Sequence, residues 1–201
     1  MDRLIGRHDR MTVEAFLDAY ALKDGRFELV DGIPVPAADT NARQSRVRRN
    51  LVANIGVRLG DGQCEVFGGD MGLKVSEFDL RLPAAAIYCD PVDVAPENDT
   101  KRYMLYPSIV FEILSPSRNA GDGMTRRIEY QRLSSVGTIV EIDTDRRSLT
   151  TYVRAADRAW TMTTYPFGSA LRLQDPEIIL TSDEVFRHVG ALPAREVQTL
   201  G

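Results

Sequence analysis

Pro107-Ser108-Ile109-Val110-Phe111-Glu112-Ile113-Leu114-Ser115-Pro116-Ser117 contains the most apolar extended run in the chain. Its near-continuous pattern is that of a strand buried on both faces, at the centre of a sheet with cover on either side. Ser115-Pro116-Ser117 stops the strand, because proline cannot donate to a ladder. One residue breaks the pattern. A carboxylate left unpaired in such a strand costs several kcal/mol, so Glu112 faces a partner, a metal or a water-filled cleft. The plainer alternative is a solvated strand face on which Glu112 pairs with a neighbouring arginine.

The elements around this strand read in order from the chain. Thr12 caps a helix through Tyr20, with Glu14 in the first turn and Phe16, Leu17 and Tyr20 on its apolar face. Arg26-Phe27-Glu28-Leu29-Val30 alternates as a strand and turns at Asp31-Gly32. Glu28 there repeats the oddity of Glu112 in weaker form. Ile33-Pro34-Val35-Pro36 returns as an edge strand. A second helix runs from about Asn41 to Leu59, with Val47, Leu51, Ile55 and Leu59 at helical spacing. Strands follow at 63–67, 71–76 and 84–89, then a polar loop from Pro91 to Lys101. Beyond the central strand come a short helix from Met124 to Ser134, strands at 137–142, 149–154 and 159–165, and a last helix from Ser182 to Val189. The pattern predicts one α+β domain around a mixed sheet, over residues 11–190, between tails at 1–10 and 191–201.

Composition excludes several kinds of chemistry. The chain has 201 residues, 25 Lys+Arg against 29 Asp+Glu and a net charge of −4, which argues against a broadly basic nucleic-acid coat. No apolar run approaches the ~20 residues of a membrane span, and Met1–Arg10 has no signal-peptide core, so a cytoplasmic location is expected. Cys64 and Cys89 stand in strand-like surroundings with no second Cys or His nearby. Buried free thiols are the expectation. His8 and His188 lie near opposite ends of the chain, too far apart in sequence to suggest a His-based triad. Carboxylates, arginines, lysines and backbone remain.

The segments also match, in order, those of a known family. Met11-Thr12-Val13-Glu14-Ala15-Phe16, Arg26-Phe27-Glu28-Leu29-Val30-Asp31-Gly32, the basic helix at Val47–Leu51, Tyr88-Cys89-Asp90-Pro91, Pro107–Ser117 and Arg126–Tyr130 together resemble the Uma-type restriction endonuclease family. That family is a branch of the PD-(D/E)XK nuclease-like superfamily. The resemblance implies a restriction-endonuclease-like fold, a DNA partner and Mg²⁺ (or Mn²⁺) held by acids from several strands. It places Glu28 and Glu112 at two acidic positions, and the backbone carbonyl of Ile113 as a further metal ligand. A homodimer is expected as well.

Three positions depart from the family pattern. Ala84 follows Pro83 where the family has aspartate, Arg126 stands in the place of a helix lysine, and Gln44 in the place of a histidine. Alanine cannot ligate a metal, and arginine binds phosphate but does not act as a base. Asp79 and Asp90 are the candidate replacement acids. Three departures at separate positions read as natural divergence rather than as one disarming substitution. Arg43, Gln44, Arg46, Arg48 and Arg49 on the second helix, with Arg118 and Arg127 near the Glu112 strand end, form the expected nucleic-acid-binding set. A solvated basic helix face is the alternative. The expected function is DNA binding with metal-dependent phosphodiester hydrolysis weakened or lost. A non-catalytic homodimeric scaffold and an active nuclease with a displaced acid are the competing readings.

Overall fold

A computed structural model describes residues 10–114 and 120–190, so Ser115-Pro116-Ser117, Arg118 and the expected tails 1–9 and 191–201 lie outside the described residues. The strand that opens the sequence reading is β8 (Pro107–Leu114), and it lies inside a six-stranded sheet. Its neighbours are β6 (Ala85–Tyr88), antiparallel, and β9 (Thr138–Asp143), parallel. β3 (Glu65–Gly68) closes one side, and β10 (Ser148–Arg154) and β11 (Trp160–Tyr165) close the other. A second sheet of five strands has the order β2-β1-β5-β4-β7. It contains β1 (Phe27–Val30), β2 (Ile33–Pro36), β4 (Gly72–Ser76), β5 (Asp79–Arg81) and β7 (Tyr103–Met104). A hairpin of β12 (Ala170–Leu173) and β13 (Ile178–Thr181) stands apart.

Both faces of the six-stranded sheet are covered, which is why β8 can be apolar on each side. On one face lies α2 (Ala42–Leu59), with Val47, Leu51 and Ile55 packed among Ile87, Ile109, Phe111 and Val140. Asn41 caps α2 and Gln44 completes a capping box, which fixes where the helix starts. The β12–β13 hairpin and α5 (Ser182–Val185) close this core with Leu171, Leu180, Val185 and Phe186. On the other face lies α4 (Ala120–Arg132), whose Tyr130 joins Ala86, Val110 and Ile139 together with Leu73 and Met104 of the five-stranded sheet. α1 (Val13–Tyr20) packs Val13 and Phe16 on Leu29 and Leu80. Leu29 therefore faces α1. Its neighbour Glu28, by strand alternation, faces the opposite side, toward α4.

The structure departs from the sequence reading in four places. The strands form two sheets and a hairpin rather than one sheet, because β1, β2, β4, β5 and β7 pair among themselves. The polar loop holds α3 (Pro91–Val94), capped by Asp90, and a 3-10 turn at Pro96–Asn98. Strands β5, β12 and β13 are too short to announce themselves by period. Finally, Cys64 and Cys89 are not free but form a disulfide, with Cα atoms 4.1 Å apart. The register Glu65↔Tyr88 places the two residues opposite each other one step beyond the β3–β6 ladder. A spacing of 25 residues cannot reveal that pairing.

Candidate functional site

Glu28, Glu112 and Arg126 come together between the two sheets, under α4. Glu28 is 1% exposed and Glu112 7%. The Arg126 guanidinium forks onto Glu28, with Nη1 donating to Oε1 at 3.0 Å and Nη2 donating to Oε2. The same Nη1 lies 3.5 Å from Glu112 Oε1, and Nε donates to Asp122 Oδ2 at 2.9 Å. Tyr130 follows Arg126 by four residues on the same helix face. Its hydroxyl donates to Glu112 Oε1 at 2.6 Å. Leu82 N–H also donates to Glu28, at 2.9 Å. A second buried arginine, Arg81, is bidentate to Glu129 at 2.6 and 2.7 Å and lies 3.7 Å from Glu28. Two guanidiniums thus hold carboxylates from β1, β8 and α4 in one cluster.

Burial pulls the Arg126 pKa down, but the charges of Glu112 and Tyr130 and the bond to Glu28 outweigh it, so its pKa is raised and it stays cationic. Tyr130 moves the same way as a phenol: burial first, and then the charge of Glu112, push its pKa well above the ordinary value. Tyr88 is raised by burial and by Asp93. A phenol with a raised folded pKa adds stability that is fully present below its unfolded pKa of about 10 and is lost as pH rises further. In an absorbance titration of the seven tyrosines, Tyr88 and Tyr130 are therefore expected to stay silent past pH ~10 and to ionise only as the chain unfolds. Their ionisation alongside the exposed tyrosines of a still-folded chain would contradict the burial of this pair.

The position of Ala84 is set by the β6–β8 ladder. Ala85 pairs with Phe111 and Ala84 N–H donates to Phe111 O at 2.9 Å, so Ala84 lies just beyond the ladder beside Phe111, and it lines one cleft with Glu112 and Ile113. On the far side of Glu112, β9 puts Glu141 in register with it. Glu141 accepts from Arg127 Nη1 at 2.9 Å and from the Tyr152 hydroxyl at 3.2 Å. Sequence reasoning missed Glu141, although Ile139-Val140-Glu141-Ile142 carries the same signal as Glu112, an isolated acid in an apolar strand. It also missed Arg81, Glu129 and the bond that Tyr130 makes.

A divalent cation does not fit this arrangement. Among the described residues no group of three or more His, Cys, Asp or Glu side chains could hold a metal. Glu28 and Glu112 already share the fixed guanidinium of Arg126. The candidate replacement acids serve elsewhere. Asp79 accepts from Asp31 N–H at 2.7 Å and Ser76 Oγ at 2.6 Å in a turn, and Asp90 caps α3.

Beside this acid cluster a narrow cleft is lined by Arg26, Gln44, Arg48, Ala84, Glu112 and Ile113, among others. It adjoins an open groove lined by Arg26, Arg48, Arg49 and Asp70 along the Gly68-Gly69 turn. Arg26 and Arg48 belong to both. Arg26 donates to Gly69 O, and a Cβ added at Gly69 would lie 3.0 Å from the Arg48 guanidinium and 2.9 Å from Pro83 O. The glycine lets Arg48 lie flat against the turn. The expected basic set is not one patch. Arg48 and Arg49 line the groove, while Arg46 is exposed. Arg43 donates to Thr144 O and Gly190 O at 3.0 and 2.7 Å, Gln44 completes the helix cap, and Arg127 belongs to α4 and bonds Glu141 on the sheet's other face. Arg26, which no sequence pattern singles out, joins the groove.

Comparison with known proteins agrees with the fold. A family model described as "Uma2: Putative restriction endonuclease" matches residues 13–181. The chain is similar to the uncharacterized protein sll1609 of Synechocystis, with 24% identity over 157 residues covering 76% of this chain and 86% of that protein. The uncharacterized protein slr1290 of the same organism is 28% identical over 139 residues, covering 64% of this chain and 66% of its own. Among solved structures, one described as a putative nuclease belonging to DUF820 from Anabaena variabilis superposes with a TM-score of 0.70. It covers 88% of this chain and 97% of its own at 12% identity, a likeness of fold.

Proposed function

Because this chain belongs to the Uma2 restriction endonuclease family, we propose that it binds DNA along the Arg26–Arg48–Arg49 groove and does not carry out the metal-dependent hydrolysis of the family. The observation that carries this reading is the placement of Arg126. Its guanidinium bridges Glu28 and lies 3.5 Å from Glu112, and the cleft that Glu112 lines carries an alanine at position 84. A fixed cation takes the charge-balancing role that Mg²⁺ would have between two acids, and it cannot carry an activated water. The three groove arginines offer a backbone-directed surface that positions phosphates without reading bases.

Two measurements test the reading together. In a cleavage assay on single- and double-stranded DNA, with Mg²⁺ or Mn²⁺, the chain is expected to show only background scission. In fluorescence anisotropy at low salt it is expected to bind both DNAs, with affinity falling as salt rises. Arg48→Ala and Arg49→Ala are each expected to weaken binding across all sequences and to reduce the salt slope by about 1. Robust cleavage abolished by Glu112→Gln would overturn the hydrolytic part. Absence of binding to any DNA at low salt would overturn the rest and favour a scaffold role.

A further inference from the structure

Arg26 borders a third concavity besides the cleft and the groove, a pocket between α1 and the five-stranded sheet. Leu17, Tyr20, Phe27 and Leu82 wall it, each half-buried, and the buried Phe16 and Leu80 form its floor. Gly72 lines it too, where an added Cβ would lie 3.0 Å from Leu80. The Tyr20 ring centre stands 5.0 Å from that of Phe16 and 4.9 Å from that of Phe27, with the last pair edge to face. The rings therefore make a corner and not a closed stack. Arg26 and Asp70 line both this pocket and the arginine groove, so the two adjoin. A surface that holds only a phosphate backbone needs cations and has no use for an aromatic corner beside them.

We propose that this pocket takes one unpaired nucleobase of a single DNA strand whose phosphates lie along Arg26, Arg48 and Arg49. The inference rests on the DNA reading and deepens it, naming single-stranded DNA as the preferred form. A base inside a duplex hides its faces in the stack, and only an unpaired or flipped base offers one to an aromatic ring. Arg26 and Phe27 are successive residues, so the guanidinium and the ring serve a phosphate and a base of the same stretch of strand. Charge sorts the two parts. Asp70 is exposed where pocket and groove adjoin, and its carboxylate repels a phosphate toward the arginine side. Arg102, also lining the pocket, is paired with Asp18 at 2.8 Å, which leaves Arg26 as the cation that pocket and groove share. Among the described residues the one cation set over these rings is the exposed Lys23, with Nζ 5.8 Å from the Tyr20 centre. A flexible surface lysine gives way to a stacked base. Stacking tolerates any sequence, because every base has a π face, and so it suits a groove that does not read base edges.

Fluorescence anisotropy at one low salt concentration, with labelled probes of equal length, separates base from backbone. The probes are a single strand of mixed sequence, an abasic single strand with the same phosphates, and a duplex. The full chain is expected to bind the base-bearing strand about 10-fold tighter than the abasic one, the size of one stacked base. Tyr20→Leu keeps an apolar group on Phe16 but removes the ring. It is expected to erase most of that difference while leaving the abasic strand and the duplex bound as before. Tyr20→Phe keeps the ring and is expected to bind like the parent. An abasic strand bound as tightly as the base-bearing strand overturns the inference, needs no variant, and leaves the groove reading standing. Tyr20→Leu binding all three probes like the parent, or weakening all three equally, overturns it as well. Absence of binding to every probe overturns the groove reading and this inference together.

Discussion

Replacing Arg126 with methionine is expected to remove about 3–5 kcal/mol of folding stability, the usual consequence of taking one partner from a buried ion pair. The loss is large against a typical total of about 5–15 kcal/mol. It arises because Glu28, 1% exposed, would keep its Leu82 N–H bond and the more distant Arg81 but lose a two-pronged charge-assisted partner. Glu112 would keep the Tyr130 hydroxyl and lose its nearby cation as well. Arg126→Lys is expected to fall between, since a lysine restores the charge but cannot span both oxygens of Glu28. Urea unfolding followed by circular dichroism measures the difference. The decisive comparison is Glu28→Gln in the Arg126→Met background. If the stability of Arg126→Met reflects a stranded carboxylate, removing that charge recovers part of the loss. An Arg126→Met chain as stable as the parent would show that the acids do not depend on this guanidinium.

The second large effect is a gain. Ala84→Asp combined with Arg126→Lys is expected to confer Mg²⁺- or Mn²⁺-dependent cleavage of DNA at least about 100-fold above the parent. That factor corresponds to ~2.7 kcal/mol of transition-state stabilisation, a modest part of what a bound metal supplies. Each change answers one feature of the structure. An aspartate at 84 adds an acid to the cleft that Glu112 also lines, and so supplies the paired acids a hard cation needs. The lysine removes the fork that occupies Glu28 and leaves a single point charge in its place. Either change alone is expected to do little. With Arg126 in place a new acid at 84 adds one more partner to the guanidinium, and with Ala84 in place the metal still lacks a ligand. Calorimetry with Mn²⁺ separates binding from catalysis. A double variant that neither binds the metal nor cleaves would show that more than these two positions bars a cation from the cluster.

Much of the fold is legible in the chain itself. The apolar run of β8, the capped starts of α1 and α2 and the β9–β11 meander follow from period and caps. So do Glu28 and Glu112, because an acid in an apolar strand is a local contradiction that one dimension displays. The same test applied to Ile139-Val140-Glu141-Ile142 finds Glu141. The short strands β5, β12 and β13 are not legible, since three or four residues give too few alternations to set a period.

The sequence by itself determined the composition of the site: which acids are present, that position 84 is an alanine, and that position 126 is an arginine. It could not say what those residues do to one another. Whether Arg126 reaches out to a phosphate or turns in to a carboxylate depends on how α4 lies over the two sheets. That placement is decided by partners 98 and 14 residues away along the chain. The same holds for Cys64 and Cys89, which only the register of β3 and β6 sets opposite each other. Pairing of this kind depends on distance through space. Spacing along the chain fixes that distance within a helix or a strand, and tertiary packing alone fixes it between them.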